Sequence, residues 1–162
     1  MKPNQNYKFL YFTFLPVSFL GFIDASYLTV KHFVGTPLPC SVLKGCEEVT
    51  RSQYSVVGGI PVAMFGAIYY LAIFVLIFAF LSRRIFNSAD NDIKGDNDKL
   101  LKIAARLTVI GLLASLWFVF IQIFIIKAIC LYCMFSALTS LLLFAFGIYV
   151  LKFKKTLLAY SS

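Results

Sequence analysis

The chain has 162 residues, of which 60% are hydrophobic and 14% charged, against roughly 45–50% and 25% in soluble domains. That composition excludes a water-soluble globule. The formal charge of +8 could suit nucleic acid, but no basic stripe interleaved with aromatics lies outside the apolar runs, so nucleic acid is not an expected partner.

Four long runs carry almost no charge: residues 9–30, 60–81, 107–126 and 128–151. Each is close to the roughly 20 apolar residues that cross a hydrocarbon core, and what remains is too short for a soluble domain. The runs are apolar on every face, which excludes the alternating strands of a membrane β-barrel. The expectation is an all-α membrane protein, one domain over residues 1–162, built as a bundle of four transmembrane helices with a long first loop. The first run exceeds the apolar region of a signal peptide and no cleavage site follows it, so it reads as a retained helix.

The basic residues set the expected orientation. Eleven (Lys2, Lys8, Arg83, Arg84, Lys94, Lys99, Lys102, Arg106, Lys152, Lys154 and Lys155) fall at the termini and in the second loop, residues 82–106. Only Lys31, Lys44, Arg51 and Lys127 fall on the other side. Basic loops are retained in the cytoplasm, so both termini and the second loop should be cytoplasmic, and the first loop, residues 31–59, external. The expected location is the cytoplasmic (inner) membrane, and the positive charge attracts anionic lipid.

In chain order, the first run contains Pro16, an expected kink, and the small pair Gly21 and Ala25, which lets another helix approach closely. Asp24, near its outer end, reads as a solvated or capped carboxylate more readily than as a proton carrier. His32 just beyond reads as a surface residue. In the external loop, prolines and glycines bracket an extended stretch, a turn and one short helical turn on the membrane surface. Within Ser88 to Asp98, the run from Asp90 through Asp92 and Gly95 imitates the opening of a calcium loop, but counted from Asp90 its fifth and twelfth positions are Lys94 and Leu101, so the segment reads as a solvated acidic connection. The aromatics read as lipid-facing Phe and interfacial Tyr. There is no internal repeat.

The cysteines carry the chemistry. Cys40 and Cys46 lie in the external loop, and Cys130 and Cys133 form a C-x-x-C pair at the start of the fourth run. All four therefore fall on the expected external face, where disulfides form and persist. At a helix start the free N–H groups and the dipole favour a thiolate, while a four-residue ring there would add little stability, so this pair suits redox cycling. One mobile pair in water and one at the membrane make a relay from partner thiols to a lipid-soluble acceptor, for which a quinone is the common carrier. A four-thiolate zinc site fits the spacings poorly and no metal is expected. Static structural disulfides in a small transporter form a further alternative, with Asp24 its one intramembrane ionisable group.

The stretch Gly21-Phe22-Ile23-Asp24-Ala25-Ser26-Tyr27-Leu28-Thr29, then Cys40-x5-Cys46, Ser52, Gly59-Ile60-Pro61 and Cys130-x-x-Cys133, resembles the vitamin K epoxide reductase family, in particular its bacterial and archaeal members. The resemblance implies a four-helix bundle around a quinone (ubiquinone, menaquinone or phylloquinone). It implies that Cys40 exchanges with the partner, that Cys46 passes electrons to Cys130, and that Cys133 lies nearest the quinone ring. The quinone pocket it implies is lined by the third helix, where Phe118, Gln122 and Ile126 share one face, with Ser52 approaching from the external loop. Gln122 reads equally as an interhelical hydrogen bond, and Ser52 equally as a cap. Prokaryotic relatives reoxidise a thioredoxin-like oxidant. The chain stops at Ser162 without such a domain, so a separate external thioredoxin-fold, DsbA-like partner is expected. Vertebrate members carry Asn and Tyr where this chain has Gln53 and Ala137, which weighs against the alternative of thiol-driven vitamin K epoxide reduction.

Overall fold

The computed structural model describes residues 4–36, 45–86 and 93–160. Four long helices dominate: α1 (Asn4–Val34), α3 (Val62–Phe86), α4 (Ile93–Phe120) and α5 (Leu131–Tyr160). Between α1 and α3 lie the short helix α2 (Cys46–Arg51), a 3-10 turn (Gln53–Ser55) and a two-stranded hairpin, β1 (Val56–Val57) and β2 (Ile60–Pro61). The strands are antiparallel, pairing Val56 with Pro61 and Val57 with Ile60.

Four segments are long and apolar enough to cross a membrane: Thr13–Val34, Val62–Arg83, Lys102–Ile126 and Leu131–Tyr149. The protein is thus an all-α, multi-pass membrane protein. Its boundaries differ from those read off hydropathy. The first helix continues through Lys31 and His32 to Val34, because charged residues end an apolar run without ending a helix. For the same reason most of residues 82–106 is helical, α3 reaching Phe86 and α4 starting at Ile93. Residues 93–98 of the expected acidic connection belong to α4, while residues 88–92 lie outside the described residues.

Burial picks out the inner faces that hydropathy could not. On α1 the buried positions are Phe14, Ser18, Gly21, Asp24, Ala25 and Leu28, one stripe at helical spacing. Phe14 and Ala25 join Tyr70, Ile73, Ile77 and Phe80 of α3, Ala104 of α4 and Leu143 of α5 in one core. The outer faces present large apolar side chains such as Ile23, Ile68, Val75, Leu113, Trp117 and Leu138, as a lipid solvent requires. Two hydroxyls within the spans turn back onto their own helices: Ser18 donates to the Phe14 carbonyl at 2.7 Å and Thr108 to that of Ala105 at 2.7 Å, so neither faces lipid unpaired. At Gly21 α1 and α3 approach closely. A Cβ there would lie 2.5 Å from Cε1 of Tyr70, so the small-residue pair does bring a neighbouring helix in.

Candidate functional site

The site forms where the first loop folds onto the connection between α4 and α5. The last turn of α4 is widened into a π-helix over Ile121–Ile126, closed by Lys127 in the left-handed conformation at φ 55°. The Gln122 carbonyl accepts the N–H of Ala128 at 3.2 Å, so a lysine occupies the place usually given to glycine at a helix end. Widened turns and left-handed non-glycine residues cost free energy and gather at functional sites. Here they stop the helix short, so that residues 127–130 cross to α5 without regular structure.

Cys130 immediately precedes α5 and acts as its cap. Its carbonyl accepts the N–H of Met134 at 3.0 Å, the first bond of the helix. Its sulfur accepts hydrogen bonds from the Cys133 thiol and from the N–H groups of Cys133 and Tyr132, the role an aspartate or serine plays at other helix starts. The Cys133 thiol first, then those N–H groups, hold the Cys130 thiol below the ordinary range, against the burial that pushes it up. From the other side, the Cys130 N–H donates to Oε1 of Gln122 at 3.1 Å, a fully buried bond. Cys130 and Cys133 are both free thiols.

Cys46 is delivered to this pair by α2. Gly45 precedes it, and a Cβ at position 45 would lie 2.8 Å from the backbone nitrogen of Ile129; only glycine lets the loop lie directly against the 127–130 link. Cys46 is fully buried in a cluster with Val49, Ala128 and Cys130, flanked by Ile126, Tyr132 and Cys133. It is disulfide-bonded. Glu47 and Glu48 in the first turn of α2 complement its dipole, and Arg51 pairs with Glu47 at 3.0 Å on the surface. Cys40 lies outside the described residues.

Beneath the thiols opens a cavity of about 330 Å³, within the range of small-molecule sites. Cys133 lines it, together with Ser52, Phe118, Gln122 and Ile126, so the structure gathers all four residues expected at a quinone pocket around one space. Gln122 lines this space and is also the hydrogen-bond partner of Cys130. Ser52 lines it too, and its hydroxyl donates to the Val49 carbonyl at 2.8 Å, closing α2.

Two expectations fail here. Tyrosine is expected at the interface, yet Tyr70 is 2% exposed in the core. Its hydroxyl meets the Ser136 carbonyl at 2.6 Å and the Thr139 hydroxyl at 2.8 Å, which makes an interior position tolerable. Tyr69 and Tyr70 both line the cavity; two adjacent tyrosines in the middle of an apolar run were the available signal. Asp24 is expected to be solvated or capped, but it is 9% exposed and its Oδ2 has no hydrogen-bond partner among the described residues. It sits on the stripe of α1 that faces the bundle. His32 is exposed, as expected of a surface residue.

Four membrane-spanning helices, a dithiol capping one of them and a cavity at its second sulfur define a membrane protein built for thiol chemistry beside lipid. The chain belongs to the vitamin K epoxide reductase family, whose model matches residues 12–148. Among curated proteins none matches it. Membership makes it an oxidoreductase of the thiol-dependent quinone or epoxide reductase kind, a function that the transporter alternative does not share.

Proposed function

We propose that the protein is a quinone-dependent thiol oxidase, which reoxidises a separate external thioredoxin-fold, DsbA-like protein and passes its electrons by cysteine relay to membrane quinone, supporting disulfide formation. The observation that carries the reading is the placing of Cys46 and Cys130 in one buried cluster while Cys133 opens on the cavity.

The relay balances as two disulfide exchanges. A partner thiolate attacks Cys40 of a Cys40–Cys46 disulfide, and the partner's second thiol resolves the mixed disulfide, leaving the partner oxidised and Cys40 and Cys46 reduced. The Cys46 thiolate then attacks Cys130 of a Cys130–Cys133 disulfide, and Cys40 closes on Cys46. Two electrons and two protons now reside on the Cys130/Cys133 dithiol. Phe118, Ile126 and Tyr69 supply flat apolar walls suited to a ring, and Gln122 and Ser52 supply polar groups. A quinone held there supplies the capacity to take up two electrons and two protons.

Two features support this direction. The lowered Cys130 thiol makes it a good leaving group in exchange with Cys46. Ala137, on the cavity wall, leaves no hydroxyl at the position where vertebrate relatives carry tyrosine, which disfavours epoxide reduction.

The test is Cys46→Ser in cells, followed by non-reducing electrophoresis. With Cys46 gone, Cys40 is a free thiol that attacks the disulfide of an oxidised partner, and no neighbouring thiol of the relay releases it, so a dithiothreitol-sensitive adduct should accumulate, lost when Cys40 is also replaced. Absence of an adduct with any exported thioredoxin-fold protein would transfer the function to quinone or epoxide reduction driven by small thiols.

A further inference from the structure

Asp24 has no part in the relay as described, yet it stands beside it. It lies one residue before Ala25, which lines the cavity. Three residues earlier, Gly21 receives the Tyr70 ring of α3. Three residues later, Tyr27 places its ring 5.5 Å from that of Tyr132 in the first turn of α5. The carboxyl group therefore occupies the level of α1 between these two contacts, on the buried stripe, with α3 on one side and the start of α5 on the other.

Its electrostatic neighbours agree with that placement. The carboxylate acts on Tyr70 of α3 and on Cys130, Tyr132 and Cys133 at the start of α5. Among the described residues these are the titratable groups that face it. No described lysine or arginine pairs with it; the ion pair found among the described residues joins Arg51 to Glu47. Oδ2 is buried and unpartnered. A carboxylate left so in a membrane interior is costly, and ionisable groups in such positions commonly handle protons or ions.

Closing the Cys130–Cys133 bond breaks two S–H bonds, forms one S–S bond and releases two electrons and two protons. On the proposed function the electrons pass to quinone. The protons need a base at a buried site, and among the acidic residues whose burial is described (Asp24, Glu47 and Glu48) only Asp24 is buried. We infer that the Asp24 carboxylate takes one of the two thiol protons as the Cys130–Cys133 disulfide closes, the other going to water, while the quinone that accepts the two electrons draws its two protons from water; Asp24 returns its proton when the disulfide is reduced.

This inference rests on the proposed thiol-to-quinone reading for the fate of the electrons, and its test separates the two. Purified full-length protein labelled with carboxyl-13C aspartate is cycled between dithiothreitol and an oxidant, and the oxidised-minus-reduced infrared spectrum recorded. A protonated-carboxyl band should appear on oxidation, shift with the label, and be absent in Asp24→Asn. In single-turnover oxidation of the reduced protein by a short-chain ubiquinone, Asp24→Asn should slow the reaction about 100-fold, the scale of general acid–base catalysis. It should also flatten the pH profile, whereas Asp24→Glu should restore most of the rate with the profile displaced. A purely structural aspartate would give neither the band nor the displaced profile. Absence of the labelled band in the wild-type protein, which needs no variant to fold, overturns the inference. So does an Asp24→Asn protein that reduces quinone with the wild-type rate and profile. A wild-type protein that passes no electrons to the quinone overturns the function on which the inference stands.

Discussion

The side-chain oxygen of Gln122 accepts the backbone N–H of Cys130 at 3.1 Å across eight residues of chain, tying the widened end of α4 to the cap of α5. The bond fixes the sulfur relative to the cavity that Gln122 also lines. Gln122→Leu should leave a buried N–H unpaired, at a cost of about 1–3 kcal/mol. It should lower the thermal unfolding midpoint in detergent and slow single-turnover thiol oxidation by roughly tenfold. Gln122→Glu keeps an acceptor oxygen and should lose less of the rate.

The hydrogen bond from Cys133 is the largest influence holding the Cys130 thiol down. In the reduced protein, alkylation of Cys130 should therefore reach half its limiting rate at a pH below that of an ordinary cysteine, roughly 8.5. The sign is fixed: a lowered pKa means the reactive thiolate is already present below that pH and is lost only on further acidification. In Cys133→Ala the half-rate pH should move upward, because burial remains while the main donor is gone. A midpoint unmoved by that substitution would place the cause elsewhere, in the helix N–H groups.

Gly21→Val should be strongly disruptive, because even a Cβ would meet the Tyr70 ring at 2.5 Å. Overpacking of this kind costs about 1–3 kcal/mol, read as a lowered unfolding midpoint. Tyr70→Phe keeps the ring but removes a hydroxyl bonded to Ser136 and Thr139, and should cost roughly 1 kcal/mol while leaving α1 and α3 in contact.

The two pairs should separate by substrate. Cys40→Ala should block turnover with a protein partner but still permit a small dithiol to reduce the Cys130–Cys133 disulfide, whereas Cys133→Ala should abolish quinone reduction from either donor. Assays with a thioredoxin-fold donor and with dithiothreitol, side by side, check this. Equal loss in both assays for Cys40→Ala would reverse the assigned order of the pairs.

At the cavity wall, Phe118→Ala should raise the quinone KM several-fold with little change in kcat, since it removes apolar contact shared by bound and reacting states. Ser52→Ala should act differently. Its hydroxyl closes α2 on Val49, so its loss should loosen the helix that carries Cys46 and slow exchange between the pairs.

The number of helices, their membrane character and the two cysteine pairs were legible in the residues themselves. Transfer of twenty apolar residues from water is large enough to set the fold class whatever their neighbours, and C-x-x-C at a helix start carries its chemistry locally. What the sequence could not rank was the inside against the outside of each helix, because the interior of the bundle and the lipid around it are both apolar and hydropathy weighs them alike. The core position of Tyr70, the buried carboxyl of Asp24 and the pressing of Gly45 against Ile129 follow from packing between segments remote in the chain. The αL turn at Lys127, which makes Cys130 a cap with its N–H on Gln122, is decided there too. Side chains that read as interfacial or solvated in one dimension become the polar lining of the site once four helices close around them.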